Sequence, residues 1–148
     1  MNGYLVDTSV TSIFAPGRPA VPSYVAEWMR ANNDGLHLSS ITIFEATQGI
    51  AKLERQHADG RAGQLTIWLD RLIVSFSTRV LDVDRDVARV AGRLADHAIS
   101  IGRHPGAADV FIAATAKVHG LTLLTNNIRH FTPLGIEAVD PLVSLPET

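Results

Sequence analysis

Tyr4-Leu5-Val6-Asp7-Thr8-Ser9 is a short apolar run that ends abruptly in a carboxylate and two hydroxyls. Its apolar part has the continuous hydrophobicity of a strand buried on both faces of a parallel sheet. Asp7 then stands where the strand leaves the sheet. In open α/β sheets, sites gather at that edge, beyond the carboxyl ends of the strands. Taken alone, Asp7 reads equally well as the N-cap of the next helix, a position that Asp and Ser favour. Other carboxylates further along the chain separate the two readings.

Outward from this strand, helix and strand patterns alternate. Residues 8–14 read as a short helix, stopped by Ala15-Pro16-Gly17-Arg18-Pro19. Ser23 suits the N-cap of a second helix with the apolar stripe Tyr24, Val25, Trp28 and Met29, closed by Asn32-Asn33-Asp34-Gly35. Leu36-His37-Leu38-Ser39 reads as a second strand. A third helix, starting near Ile41, carries Ile43, Ala46, Ile50 and Leu53 at helical spacing, with Glu45 in its first turn and off that stripe. Residues 57–63, polar and glycine-bearing, read as a loop or a break before a fourth helix marked by Leu65, Trp68, Leu69, Leu72 and Phe76.

Arg79-Val80-Leu81 reads as a small strand. Asp84 suits the N-cap of a fifth helix whose core stripe is Val87, Val90, Ala91, Leu94 and Ala98, with Asp86 near its positive end. Residues 100–106 read as a loop. Residues 107–119 are apolar or small almost all round, the pattern of a buried helix; Asp109 is its only acid, and Gly120 follows as a stop. Leu121-Thr122-Leu123-Leu124-Thr125 reads as a buried strand, 126–131 as a turn or short helix, Ile136-Glu137-Ala138-Val139 as a last edge strand, and Pro141 onward as a tail. The alternation predicts a parallel sheet with helices on both faces, and residues 1–148 as one α/β domain without linker or repeat.

A chain of 148 residues can bury a sizeable core. The net charge of −2 excludes a protein whose whole surface grips nucleic acid, but not a local groove. The absence of cysteine excludes disulfides and thiolate metal sites and fits a reducing compartment. Met1-Asn2-Gly3-Tyr4 shows no basic leader, and no apolar run approaches membrane-spanning length. The expectation is a cytoplasmic protein that does not associate with membranes.

Connection handedness brings the acids together. In right-handed βαβ units the C-terminal end of a strand and the N-terminal end of the next helix share one edge. Asp7 ends a strand, Glu45 and Asp109 open helices, and Asn127 follows a strand, so all four belong at one edge. Carboxylates a few ångströms apart repel, and the repulsion raises their pKa values unless a cation is present. Mg²⁺ or Mn²⁺ takes oxygen ligands and keeps several waters, and such an ion can activate a water for attack on a phosphodiester. An acidic pocket on an α/β domain therefore suggests metal-dependent phosphoryl chemistry.

Structural roles compete for these residues. Glu45 could serve as a helix-dipole partner, and Asp109 could pair with a nearby Arg such as Arg103. Asp70, Asp82, Asp84, Asp86 and Asp96 read as caps or solvated surface, and Lys52, Arg55 and Arg61 as solvated positions more than as RNA contacts. No histidine reads as a metal ligand; His104 and His130 border the edge and are weak candidates for touching substrate.

Four stretches together carry a family resemblance: the Asp7 motif; Ser39-Ser40-Ile41-Thr42-Ile43-Phe44-Glu45; Ala108-Asp109-Val110-Phe111-Ile112-Ala113-Ala114-Thr115-Ala116; and Leu121-Thr122-Leu123-Leu124-Thr125-Asn126-Asn127-Ile128-Arg129-His130-Phe131. In this order and spacing they resemble the motifs of PIN-domain ribonucleases, in particular the VapC/FitB-type toxins of bacterial toxin–antitoxin systems. The resemblance spans nearly the whole chain, including Val139-Asp140-Pro141. It implies a PIN-like three-layer α/β/α sandwich with a central parallel sheet, a homodimer, and Mg²⁺- or Mn²⁺-dependent endonucleolytic cleavage of RNA. It also implies a cognate antitoxin that wraps the toxin and blocks the acidic pocket. Asp7, Glu45 and Asp109 match the family's principal acids and metal ligands, Thr125 its threonine, and Thr8 and Ser9 the polar residues beside the first acid. Where many relatives carry a fourth acid, this chain has Asn127. Asparagine can hydrogen-bond to a bound water but brings no charge, which argues against a second metal.

Two other classes fit less of the chain. A non-cleaving RNA- or partner-binding module would use the same pocket, and Asn127 is the feature that favours it. A receiver-like signalling domain needs a phospho-accepting Asp with a nearby Lys, and no Lys here suits.

Overall fold

The computed structural model describes residues 3–147; the leader reading at Met1 and Asn2 and the last residue of the tail lie outside the described residues. The stretch that opens the chain becomes β1 (Tyr4–Val6), the central strand of a five-stranded, wholly parallel sheet. On one side lie β2 (Leu36–Ser39) and β3 (Val80–Leu81), on the other β4 (Thr122–Leu124) and β5 (Ala138–Val139), in the order β3-β2-β1-β4-β5. The order reverses at β1, so the crevice for a site opens beside this strand. Val6 is in register with both Leu38 and Leu124. The three central strands therefore end level, and Asp7, Ser39 and Thr125 emerge side by side.

Successive side chains of a strand point to opposite faces, and each face has its own core. Leu5 and Leu123 pack with α5 (Arg85–Ser100), α6 (Ala107–His119) and the buried Phe131. Tyr4, Val6, Leu38 and Leu124 pack with α1 (Thr8–Thr11), α2 (Ser23–Ala31) and the end of α4 (Asp59–Phe76). These are the layers of an α/β/α sandwich. Between them α3 (Ser40–Arg55) closes the edge, sending Ile41 to one core and Ile43 to the other. After β4 come α7 (Ile128–Phe131) and then β5, which completes the sheet. Among the described residues no helix is long and apolar enough to cross a membrane.

Most elements fall where periodicity put them. Asp84 caps α5, its Oδ1 accepting from the Val87 N–H at 2.9 Å, and Gly120 ends α6 at φ +63°, a left-handed conformation that glycine adopts without strain. Three details differ. Of the loop or break expected over 57–63 the structure has the break, narrower than expected: a short turn at Gln56–Ala58 with His57 at φ 62°, after which α4 already starts at Asp59. Ala62 is buried against Ile50 and Leu69 in the seam between α3 and α4, and that packing overrides the weak helix propensity of Gly60 and Gly63. Ser23 is the first helical residue of α2, after Pro22, and Tyr24 is 52% exposed instead of joining the stripe. Glu45 is not in a helical first turn. Ser39 caps α3 by accepting from the Ile41 N–H at 3.0 Å, so the helix starts at Ser40 and Glu45 lies in its second turn. That distance from the helix end removes the dipole reading.

Candidate active site

Asp7 begins the site. Its backbone carbonyl caps α1, accepting from the N–H groups of Val10 and Thr11, but its side chain makes no capping bond. Instead the carboxylate is 4% exposed, and its Oδ2 accepts from Ser9 Oγ at 2.8 Å and Thr125 Oγ1 at 2.7 Å. The direction of both bonds is fixed from behind. The Asn126 N–H donates to Ser9 Oγ and the Asn127 N–H to Thr125 Oγ1, each at 3.0 Å. Each hydroxyl has one hydrogen, and that hydrogen goes to Asp7. Oδ1 takes no hydrogen bond among the described residues and is the atom left for a ligand.

Asn126 is the residue that motif reading passed over. Its side-chain NH₂ donates to the Ser9 carbonyl at 3.2 Å, tying the start of α1 to the end of β4. The only signal was its place in Thr125-Asn126-Asn127. Asn127 itself lies at the same edge with an exposed side chain, and its backbone serves Thr125.

Glu45 comes from α3. Its Oε1 lies 2.6 Å from Thr8 Oγ1, which in turn lies 3.0 Å from Thr42 Oγ1. An ionised carboxylate can only accept, so Thr8 donates to Glu45. Burial pushes the Glu45 pKa above the ordinary carboxylate value; the Thr8 hydroxyl offsets part of this, and repulsion from Asp7 and Asp109 adds to it. Asp109, in the first turn of α6, is also raised, by burial and by repulsion from Asp7, against the opposing pull of His130. The three acids thus share one electrostatic field, the juxtaposition expected from connection handedness.

The partner of Asp109 is His130, with Nδ1 3.1 Å from Oδ2, and not Arg103. Phe131 is fully buried and anchors α7 so that His130 comes against the start of α6. Arg103 lines the same cleft without pairing.

This donor set fits a hard divalent cation. The atoms are carboxylate oxygens, partly buried and mutually repelling, with hydroxyls steering two of them. Among the described residues no three acids or histidines stand close enough together to hold a metal ion by themselves; Mg²⁺ is commonly held by only one or two carboxylates and keeps several waters.

The raised acids predict a pH signature. A carboxyl whose folded pKa exceeds its unfolded value keeps its proton longer in the folded state, so stability falls as pH rises through that window. In chelator, Glu45→Gln, which retains an acceptor for Thr8, should therefore melt higher than the parent at neutral pH. The advantage should fade as pH drops into the carboxylate range. Melting curves across pH check this; a Gln variant that melts lower at neutral pH contradicts it.

Residues 4–132 match the family model described as PIN domain. The chain is 32% identical over 139 residues to the Neisseria gonorrhoeae protein Toxin FitB, covering 93% of this chain and 96% of that protein. It is 34% identical over 128 residues to Ribonuclease VapC19 of Mycobacterium tuberculosis, covering 86% of this chain and 90% of that protein. Among solved structures, a DNA-bound VapBC from Salmonella typhimurium superposes with a TM-score of 0.79 at 26% identity, covering 95% of this chain and 98% of that chain.

Proposed function

Because this chain belongs to the PIN-domain family, we propose that it is the toxin of a toxin–antitoxin pair, an endoribonuclease whose cleavage requires Mg²⁺ or Mn²⁺. The observation that carries this reading is the convergence of Asp7, Glu45 and Asp109 at the switch-point edge, with Ser9 and Thr125 steering Asp7. The similarity to Toxin FitB and Ribonuclease VapC19 supports the reaction and the role. The substrate class is RNA. The protein partners are a cognate antitoxin and a second copy of the chain.

Bound in this pocket, the cation supplies Lewis acidity to the phosphoryl oxygens. The chain's own contribution is preorganisation. Ser9 and Thr125 hold one oxygen of Asp7 and leave the other toward the pocket. Thr8 fixes Glu45 on the facing helix. His130 orients Asp109. Rigid carboxylates in a partly desolvated site do not have to reorganise during the reaction, which is where such sites gain rate.

The test is cleavage of total RNA by the purified chain, freed of antitoxin, with Mn²⁺ or Mg²⁺ and again with chelator, alongside calorimetric titration of the ion. Discrete products that appear only with the ion establish the activity, and mapping their ends names the substrate. Ion binding without cleavage would instead establish a binding module, and an acid restored at Asn127 would be the next variant.

A further inference from the structure

Beside Asp109 lies a second, oppositely charged feature. The loop before α6 contributes Arg103 and His104, and α7 contributes Arg129 and His130, to one cleft that Asp109 also lines. Two segments far apart in sequence thus set four basic side chains around one space, in a chain whose net charge is −2.

The two arginines are not used by the fold. Arg61 donates to the Pro16 carbonyl and Arg79 to the carbonyls of Asn33 and Leu36, so both are structural ties. Arg103 and Arg129 make no such bond among the described residues, where the only ion pair in the cleft is His130 with Asp109. The carboxylate that lines this cleft, Asp109, is already paired with His130, so the two guanidiniums face the space without an ion-pair partner and favour an anion that enters it. Guanidinium groups match phosphate geometry, with paired N–H donors for paired oxygens.

Resting on the ribonuclease reading, we propose that this cleft seats a backbone phosphate of the RNA adjacent to the one that is cleaved, with Arg103 and Arg129 as its positioning residues. His130 joins the two features, since it lines the cleft and also holds Asp109. RNA gripped here is set in register with the acids, while the acids alone would repel it.

The test uses the full chain carrying Asp7→Asn, so that RNA is not consumed, and a fluorescein-labelled 12-nucleotide single-stranded RNA of mixed sequence. Arg103→Ala and Arg129→Ala should each weaken binding by about tenfold, as expected for removing one charge-assisted hydrogen bond to phosphate. The pair together should lower the slope of log affinity against log salt by about 0.7, the amount for one single-strand phosphate that is no longer neutralised. Lysine at either position should restore part of the affinity. In the cleaving chain the loss should fall mainly on KM. A double variant that cleaves and binds RNA as its parent does, with an unchanged slope, overturns the inference and leaves the ribonuclease reading standing. The same holds if the double variant keeps its RNA affinity but loses binding of a glutamate-rich 12-residue peptide, which would assign the cleft to a protein partner. A parent chain that neither binds nor cleaves RNA overturns both.

Discussion

Asp7→Asn is expected to lower the single-turnover rate of RNA cleavage by about a thousandfold, the equivalent of ~4 kcal/mol of transition-state stabilisation. The substitution is nearly isosteric. The asparagine carbonyl can take the place of Oδ2 and accept from Ser9 and Thr125, so the network behind the site survives. What is lost is the charge of a carboxylate that is 4% exposed. The amide that replaces Oδ1 presents hydrogens to the pocket where a ligand oxygen stood. Calorimetric titration of Mn²⁺ should show weaker binding in parallel, and the melting temperature in chelator should stay within a few degrees of the parent. An Asn variant that cleaves within tenfold of the parent would remove Asp7 from the chemistry. A variant that no longer folds would show itself in the melting curve, and Asp109→Asn, on a different element, then answers the same question.

The parts of this site differ in how openly the sequence announced them. A continuous apolar run ending in an acid is a local pattern, so β1 and Asp7 were legible from six residues. The uniformly apolar α6 made Asp109 conspicuous for the same reason. Their convergence was legible too, because connection handedness acts on topology and does not depend on side-chain detail. The wiring was not legible. That Ser9 and Thr125 donate to one oxygen of Asp7 follows from the level ends of β1 and β4 and from the two backbone N–H groups behind them. No composition or period records such a register. His130 displaced Arg103 as the partner of Asp109 because the burial of Phe131 fixes α7, a tertiary fact that spacing along the chain does not carry. Ser39 has two roles, ending β2 and capping α3 with its hydroxyl; the apolar spacing shows the strand but not the cap that starts the helix at Ser40 and leaves Glu45 in the second turn.

Thr125→Val tests whether that wiring matters to function, and it carries the next largest effect. Valine keeps the shape of threonine at a position with no solvent exposure, so packing is preserved and only the hydroxyl goes. Two hydrogen bonds then go: Asp7 Oδ2 loses its 2.7 Å donor and keeps only Ser9, and the Asn127 N–H loses its acceptor. Losing a hydrogen bond to a charged group costs about 1.5–3 kcal/mol, and the melting temperature should fall accordingly. Cleavage should fall further than stability explains, by roughly ten- to a hundredfold in fully folded protein, because Asp7 is then steered by Ser9 alone and a small misplacement of a reacting group is costly. Thr125→Ser, which restores a hydroxyl but not the methyl, separates the two effects. If Thr125 works by steering Asp7, serine recovers cleavage more than it recovers stability. If its role is packing alone, valine keeps the activity and serine is the poorer variant on both counts.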